Sequence, residues 1–257
     1  MVDIHSHILP GVDDGSDSFA ESVEMARLAV SGGTTEMLVT PHCNIPELYS
    51  NYSGGYITKR FEMLKKEVED AEIPLKLFLG AEVYITDDII RLYRRNMLNT
   101  VNGGKYMLVE FGFGEEPEYM DYMLDSLLDE DVIPVVAHPE RYYASFDYPE
   151  MIYGWVMKGC GIQVNKGSIM GKFGEKPEAV ARVLMGHNLV HCVASDAHTS
   201  WHRTNYLRDV YDFICDMYDE DYARLLLETN PHNVIFGGGL SLNDEPVFPD
   251  VDLRNWF

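Results

Sequence analysis

An α/β barrel is the fold class this sequence predicts, and three observations predict it. Short apolar, β-branched runs alternate with amphipathic stretches along the chain, the pattern of a parallel sheet crossed by helices. The length, 257 residues, is ordinary for a single barrel, a fold of about 250 residues. The apolar runs also end, one after another, at a histidine, a carboxylate or an amide. Alternation alone fits an open doubly wound sheet equally well. The polar strand ends separate the two, because in a barrel the C-terminal ends of sequence-distant strands meet around one axis.

The first strand, Val2–Ile4, runs straight into His5 and His7 within "DIHSHILPGVDDGS". The helical pattern Ser18–Ser31 leads to a second strand, Met37–Thr40, which runs into His42 in "VTPHCN". Thr58–Ala71 reads as a helix before the third strand, Lys76–Ala81, and Glu82 follows at once. Tyr106–Phe111 carries Glu110; the helix Glu118–Glu130 and the strand Val132–Ala137 then deliver His138 in "VVAHPER". Gly161–Val164 ends at Asn165, and after the helix Lys176–His187 the last strand, Val190–Ala194, opens onto Asp196 and His198 in "ASDAHT". No repeat, low-complexity tract or linker interrupts this series, so residues 1–257 are expected to form one domain.

The spacing predicts a metal centre on that rim. Side chains two apart on a strand share a face, so His5 with His7, and Asp196 with His198, can each present two ligands to one side. With Asp14 from the first loop, His42, Glu82, Glu110 and His138, the set holds five histidines and four carboxylates. A catalytic ion takes about three protein ligands and keeps positions open for water and substrate, so nine fit two or three ions sharing carboxylates. Imidazole and carboxylate without thiolate favour Mn, Fe or Zn over Mg. Bound cations would also let an anionic substrate approach an otherwise repelling acidic surface. Taken singly, each member has an ordinary structural reading; it is their joint placement that carries the argument. His187, His191 and His232 lack that placement and are read as structural, and His202 is left open.

Composition narrows the function classes. The 42 acidic against 20 basic residues give a net charge of −22, read chiefly as a solvated acidic surface and contrary to a broad basic nucleic-acid face. No apolar run approaches the ~20 residues of a membrane span, and the first residues lack the basic-then-apolar pattern of a secretory signal. Four scattered cysteines, Cys43, Cys160, Cys192 and Cys215, form no C-x-x-C pair and suit a reducing cytoplasm.

The H-x-H near the start, "DDG", "TPH", the Glu in "LGAE", "VEF", "AHPER" and "SDAHTSWHR" resemble the polymerase and histidinol phosphatase (PHP) superfamily. More closely, they resemble the bacterial manganese-dependent protein-tyrosine phosphatases of capsule and exopolysaccharide operons. The likeness runs from Asp3 to about Phe236. It implies a distorted TIM-like (β/α)7 barrel, three divalent ions with Mn first and Fe or Zn as alternatives, and a phosphotyrosyl protein as substrate, such as the tail of a bacterial tyrosine kinase. On that resemblance His5, His7, Glu82 and Asp196 hold one ion, and Glu82 bridges to a second held by Glu110 and His138. Asp14, His42 and His198 hold the third, with Asp13 an equally acidic neighbour of Asp14. Arg141 in "HPERY" and Arg203 in "HTSWHR" match phosphate-binding arginines, and a planar guanidinium can bind two phosphate oxygens at once. Thr204 stands where relatives continue with proline or a second arginine.

The expected chemistry is phosphomonoester hydrolysis by hydroxide activated between ions, with the arginines stabilising the equatorial oxygens. A phenolate leaves with little help, though His42 or His198 can assist if either keeps a nitrogen free. Cysteine-based tyrosine phosphatase chemistry needs C-x5-R, and six residues after the four cysteines stand Tyr49, Lys166, His198 and Asp221. Other outcomes on the same frame are a small-molecule phosphatase such as histidinol phosphatase, a phosphodiesterase, or a non-catalytic regulator. Tyr49, Tyr52, Phe113, Tyr142, Tyr143 and Trp201 are the aromatic residues expected near the rim, either packing loops or lining the approach.

Overall fold

Gly80 falls inside what the sequence presents as one strand and divides it in two, and Pro41, just past the end of the preceding predicted strand, separates it from a short continuation. The computed structural model describes residues 1–256. Its strands are β1 (Val2–Asp3), β2 (Glu36–Val39), β3 (His42–Cys43), β4 (Lys76–Leu79), β5 (Glu82–Tyr84), β6 (Tyr106–Glu110), β7 (Ile133–Ala137), β8 (Gly161–Asn165) and β9 (Cys192–Ala194). Proline brings no N–H to the ladder, so β2 stops before Pro41 and resumes as β3. Its neighbour breaks at the same height, between β4 and β5. Register is unchanged across the gap, with Val39 opposite Leu79 below it and His42 opposite Glu82 above. Gly80 N donates to Val39 O at 2.9 Å and Glu82 N to Pro41 O at 3.1 Å, spanning the break. The expected strand Met37–Thr40 is found as β2, with β3 a continuation beyond Pro41 that was not expected; the expected strand Lys76–Ala81 is corrected to a broken one, and Glu82 begins a strand instead of following one.

Counted this way, the strands make seven staves. β1 pairs with β2 and β2 with β4; β3 pairs with β5, and β5 through β9 pair in chain order, every pair parallel. The ring closes just past β9 and β1, where Ser6 bridges Ala197 in parallel. There Asp196 N donates to His5 O at 2.9 Å and His7 N to Ala197 O at 2.8 Å. This is the distorted TIM-like barrel expected from the resemblance.

Both strand faces are apolar and buried, as a helix-covered parallel barrel requires. Leu38, Leu108, Val135, Ala137, Cys192 and Ala194 form one cluster. They come from staves on opposite sides of the ring, so they meet inside it. The alternate residues face outward, Met37 and Val39 against the helices Phe19–Ser31 and Gly55–Asp70, and Met107, Val109, Val136 and Val193 in the larger outer core. The inward row Tyr106, Leu108 ends in Glu110 and the inward row Cys192, Ala194 leads to Asp196, so alternation carries the polar residues onto the barrel axis at the rim. The predicted helices appear as Phe19–Ser31, Gly55–Asp70, Pro117–Leu128 and Glu175–Gly186. The first is capped by Ser18, whose side chain accepts from Glu21 N.

Candidate metal centre

Asp3 fixes where the site begins. Buried at the end of β1, its carboxylate accepts from Ser195 N at 3.1 Å and from the Ser195 hydroxyl at 2.6 Å, stapling the first stave to the last. His5 and His7 follow at once and face the same way, with their Nε2 atoms 3.2 Å apart. The chain then turns through "DDGS" and passes back over His7. A Cβ at Gly15 would lie 2.2 Å from His7 O, so only glycine fits the crossing. This turn sends its two aspartates different ways. Asp13 goes behind His7, accepting from Nδ1 at 2.9 Å and from His42 N at 2.9 Å. Asp14 faces the rim, 3.4 Å from His42 Nε2 and 3.6 Å from His198 Nε2.

All nine predicted side chains converge. His5 Nε2 and His7 Nε2 each stand 3.2 Å from Glu82 Oε2 and 3.5 Å from Asp196 Oδ1. Ligands about 2.0–2.2 Å from a metal stand about 3.0–3.5 Å from one another in tetrahedral or octahedral shells, so His5, His7 and Asp196 have the spacing of one coordination sphere, with Glu82 against both histidines. His7, Asp14, His42 and His198 form a second group. Around Glu82 the grouping differs in detail from the expected one. His138 falls with His5 and Glu82, its Nε2 2.8 Å from Glu82 Oε1, and Glu110 falls with Glu82 and His42. Glu110 Oε2 is 3.9 Å from His138 Nε2.

Three buried atoms argue that these groups fit cations. His42 Nδ1, Glu82 Oε2 and Glu110 Oε1 find no well-formed hydrogen bond among the described residues, yet the nitrogen lies 3.0 Å from each oxygen. Unsatisfied buried polar atoms cost about 1–3 kcal/mol each, and divalent ions held by these groups would satisfy them. The donors are imidazole and carboxylate, which suit Mn, Fe or Zn. Cys43, beside His42, turns its thiol to Ser50 O.

The protonation pattern follows from this crowding. Burial disfavours the cations of His5, His7 and His42, but the facing carboxylates prevail, raising all three, His42 to about 10. Burial and the charge of His7 keep His198 low. Asp196 and Glu82 ionise well below the usual range despite burial, because His5 lies beside both. Burial and the charge on Glu82 raise Glu110.

Left-handed backbone re-aims several of these side chains. His138 (φ 36°), Asp196 (φ 50°) and Arg203 (φ 50°) all occupy that region, which is costly for non-glycine residues and concentrates at functional sites. The expected strand alternation of Asp196 and His198 is thus replaced by a turn, which still brings His198 Nδ1 within 3.6 Å of Asp196 Oδ1. Arg203 is held by its loop: its carbonyl accepts from His198 N at 2.9 Å, and Ser200 N donates to Glu21 at 2.6 Å.

Asp196 faces two ways. Oδ1 points to the histidines, while Oδ2 accepts from Arg203 Nη2 at 2.5 Å, Asn165 Nδ2 at 2.6 Å and Arg141 Nη1 at 3.2 Å. Both predicted arginines therefore sit beside the cluster, and both line its cavity of about 290 Å³. Arg141 lies between Phe113 and Phe173, its guanidinium carbon 4.7 Å from each ring centre. Tyr84, Phe111 and Phe113 supply the aromatic part of the wall.

Of the expected rim aromatics, Phe113 lines the cavity and Tyr49 stacks on His42 at 5.8 Å between ring centres. Tyr143 and Trp201 are exposed outside it, and the Tyr52 hydroxyl donates to Asn44. Tyr142 is a core residue: buried, it donates to Ala137 O and accepts from Phe111 N. Sequence reasoning missed Tyr84, Phe173 and Gln163. Gln163 accepts from His5 Nδ1 at 2.8 Å and donates to Asn165, linking His5 to Asp196 through two amides. Inward position on the strand ending at Asn165 was the available signal. Asp13 was noted only as an alternative to Asp14; the geometry gives it a separate place. His191 and His232 lie away from the cluster, His191 accepting from Ile162 N and His232 paired with Glu36. His187 bonds Val183 O within its own helix. The four cysteines are free.

The family described as capsular polysaccharide synthesis, CpsB/CapC, matches residues 1–236. The tyrosine-protein phosphatase YwqE of Bacillus subtilis (strain 168) is 38% identical over 198 residues, 77% of this chain and 77% of that protein. The tyrosine-protein phosphatase CpsB of Streptococcus agalactiae serotype V is 30% identical over 245 residues, 91% of this chain and 98% of that one. A crystal structure from work on YwqE of Bacillus subtilis and CpsB of Streptococcus pneumoniae, described as unique metal-dependent tyrosine phosphatases, superposes with a TM-score of 0.89 at 32% identity. It covers 96% of this chain and 99% of that one.

Proposed function

The chain belongs to the capsular polysaccharide synthesis family CpsB/CapC, and from that membership and the geometry of its rim we propose that it is a metal-dependent protein-tyrosine phosphatase. The observation that carries this reading is the convergence of nine imidazole and carboxylate side chains beside two arginines and an aromatic wall. His5, His7, Glu82 and Asp196 would hold one ion; Glu82, Glu110 and His138 a second; Asp14, His42 and His198 a third. Manganese is the first candidate, with iron or zinc as alternatives. Bound there, the ions supply Lewis acidity toward phosphoryl oxygens and lower the pKa of water near neutral pH, so no protein nucleophile is needed.

The chain's own residues position and neutralise the substrate. Arg141 and Arg203 present guanidinium groups at the cavity that hold the charge developing on the equatorial oxygens. Asp196 Oδ2 and the ring of Phe173 keep both in place before substrate arrives. Phe113 and Tyr84 offer surface to a phenyl ring, and phosphotyrosine carries its phosphate farther from the backbone than phosphoserine does, which favours it on reach. His42 has Nδ1 turned to Glu82 and Glu110 and Nε2 to Asp14. His198 similarly uses both nitrogens, on Asp196 O and Asp14. Neither keeps a nitrogen free for proton transfer, and a phenolate leaving group requires little.

The finer reading is a cytoplasmic enzyme acting on the phosphorylated tail of a tyrosine kinase that governs capsule or exopolysaccharide synthesis. Membership of a capsular polysaccharide synthesis family supports it. The test is kcat/KM of manganese-loaded protein on phosphotyrosyl peptide, phosphoseryl peptide and histidinol phosphate. A clear phosphotyrosine preference is expected. Preference for histidinol phosphate would replace this reading with a small-molecule phosphatase, and no turnover of any would favour a regulator.

A further inference from the structure

A second cavity, of about 400 Å³, adjoins the metal centre, and Arg203 lines both. Phe173 stands at the boundary, packed against Arg141 on one side and Arg203 on the other. The cavity wall is cationic in a chain whose net charge is −22. Lys166, Lys172, Arg203 and His202 line it, with Asp209 as its one carboxylate. Two of the cations are already engaged. Lys166 is buried, donates to Tyr206 O at 2.5 Å and lies 3.4 Å from the Asp209 carboxylate; Arg203 is on Asp196. Lys172 is different: exposed, its ammonium has no ion pair or hydrogen bond among the described residues. Arg203 Nε is also buried without a partner. Trp201, 79% exposed, supplies an aromatic face at the same cavity.

We propose that this cavity is a specificity subsite for an anionic side chain flanking the target phosphotyrosine, with Lys172 as its free cation. The inference rests on the phosphatase reading, since sharing Arg203 makes the two cavities consecutive along one bound peptide. An adjacent carboxylate or phosphate meets Lys172, while Trp201 and Phe173 lie against its stem or ring. Elsewhere the acidic surface repels such a peptide, so the local sign of charge selects how the peptide lies.

The experiment uses manganese-loaded full-length protein and three peptides with one central phosphotyrosine, flanked by alanine, glutamate or a second phosphotyrosine. Both anionic flanks are expected to raise kcat/KM about fivefold over alanine, the scale of a partly exposed ion pair. Lys172→Ala should remove that advantage and Lys172→Glu invert it, with p-nitrophenyl phosphate hydrolysis within about twofold of wild type for both. The two flanks separate the sources: equal gains mean charge alone is read, and a larger gain for phosphotyrosine means the aromatic wall is read too. Equal kcat/KM for all three peptides, or a preference that survives Lys172→Glu, would overturn the subsite. If the alanine-flanked peptide is not hydrolysed at all, the phosphatase reading fails instead. The subsite is then decided by fluorescence anisotropy with the same flanks around a non-hydrolysable phosphonate, where it predicts tighter binding of anionic flanks that Lys172→Ala abolishes.

Discussion

Asp13 Oδ2 lies 2.9 Å from His7 Nδ1, on the far side of the imidazole from Nε2, which faces His5, Glu82 and Asp196. The carboxylate fixes the tautomer and aim of His7 without entering the cluster, and such supporting partners are worth about 10–100-fold in metal affinity. Asp13→Asn should therefore shift the manganese concentration for half-maximal activity upward by about that factor, with excess metal restoring kcat. Asp14→Ala, which deletes the carboxylate between His42 and His198, should not be rescued. The opposite assignment predicts the reverse pattern in the same metal titration.

Chelation tests the ions' part in the fold. Five imidazoles and four carboxylates from all around the ring face one another, so ions bound only by the folded chain add stability by mass action. Removing them should abolish hydrolysis and lower Tm by about 5 °C or more. Manganese should restore most of the activity. Full turnover by protein verified to be metal-free would end the metallophosphatase reading.

Arg141→Lys should cost about tenfold or more in kcat/KM, of order 1–3 kcal/mol. Lysine keeps the charge but loses both the two-point fork and the planar stacking between Phe113 and Phe173. Steady-state kinetics on phosphotyrosyl peptide, with Tm as a check on folding, decides it; an unchanged kcat/KM removes Arg141 from phosphate recognition.

The cysteines should be dispensable for chemistry. Burial pushes the Cys43 and Cys160 thiols up to about 12 and raises Cys192 as well, so none offers a thiolate at neutral pH. Replacing all four by serine should leave kcat within a few fold, at some cost in Tm from polar atoms in the core. His7→Ala should lose roughly two orders of magnitude or more. A folded, metal-loaded but inactive cysteine-free protein contradicts this.

His191 predicts part of the acid sensitivity. Burial lowers it from 6.5 to about 4, and its Nδ1 accepts from Ile162 N at 3.1 Å, which requires the neutral ring. Because the folded value is depressed, its contribution is complete above pH 6.5 and is lost as pH falls from 6.5 through 4. The full loss is about 3 kcal/mol. His191→Asn keeps an acceptor for Ile162 and has no proton to take up, so its denaturant midpoint should fall less than wild type over that interval. Parallel curves would assign the acid sensitivity to other groups.

The amino-acid sequence alone determined the architecture and which side chains gather at the rim. Strand and helix periodicities are properties of local chain, and so is the place where each apolar run stops; that is why His5, His7, Asp14, His42, Glu82, Glu110, His138, Asp196 and His198 were legible one stave at a time. Tertiary structure decided what each faces. Asp13 and Asp14 are equivalent in sequence, and only the crossing of Gly15 over His7 separates them. Tyr142 lies next to a rim arginine yet points into the core, because Ala137 O and Phe111 N need its hydroxyl. The breaks at Pro41 and Gly80 depend on two staves being paired at one height. Phe173 stands some thirty positions from either arginine it touches. These are contacts between residues remote in sequence, and their partners are chosen by ring closure and packing, which no local pattern encodes.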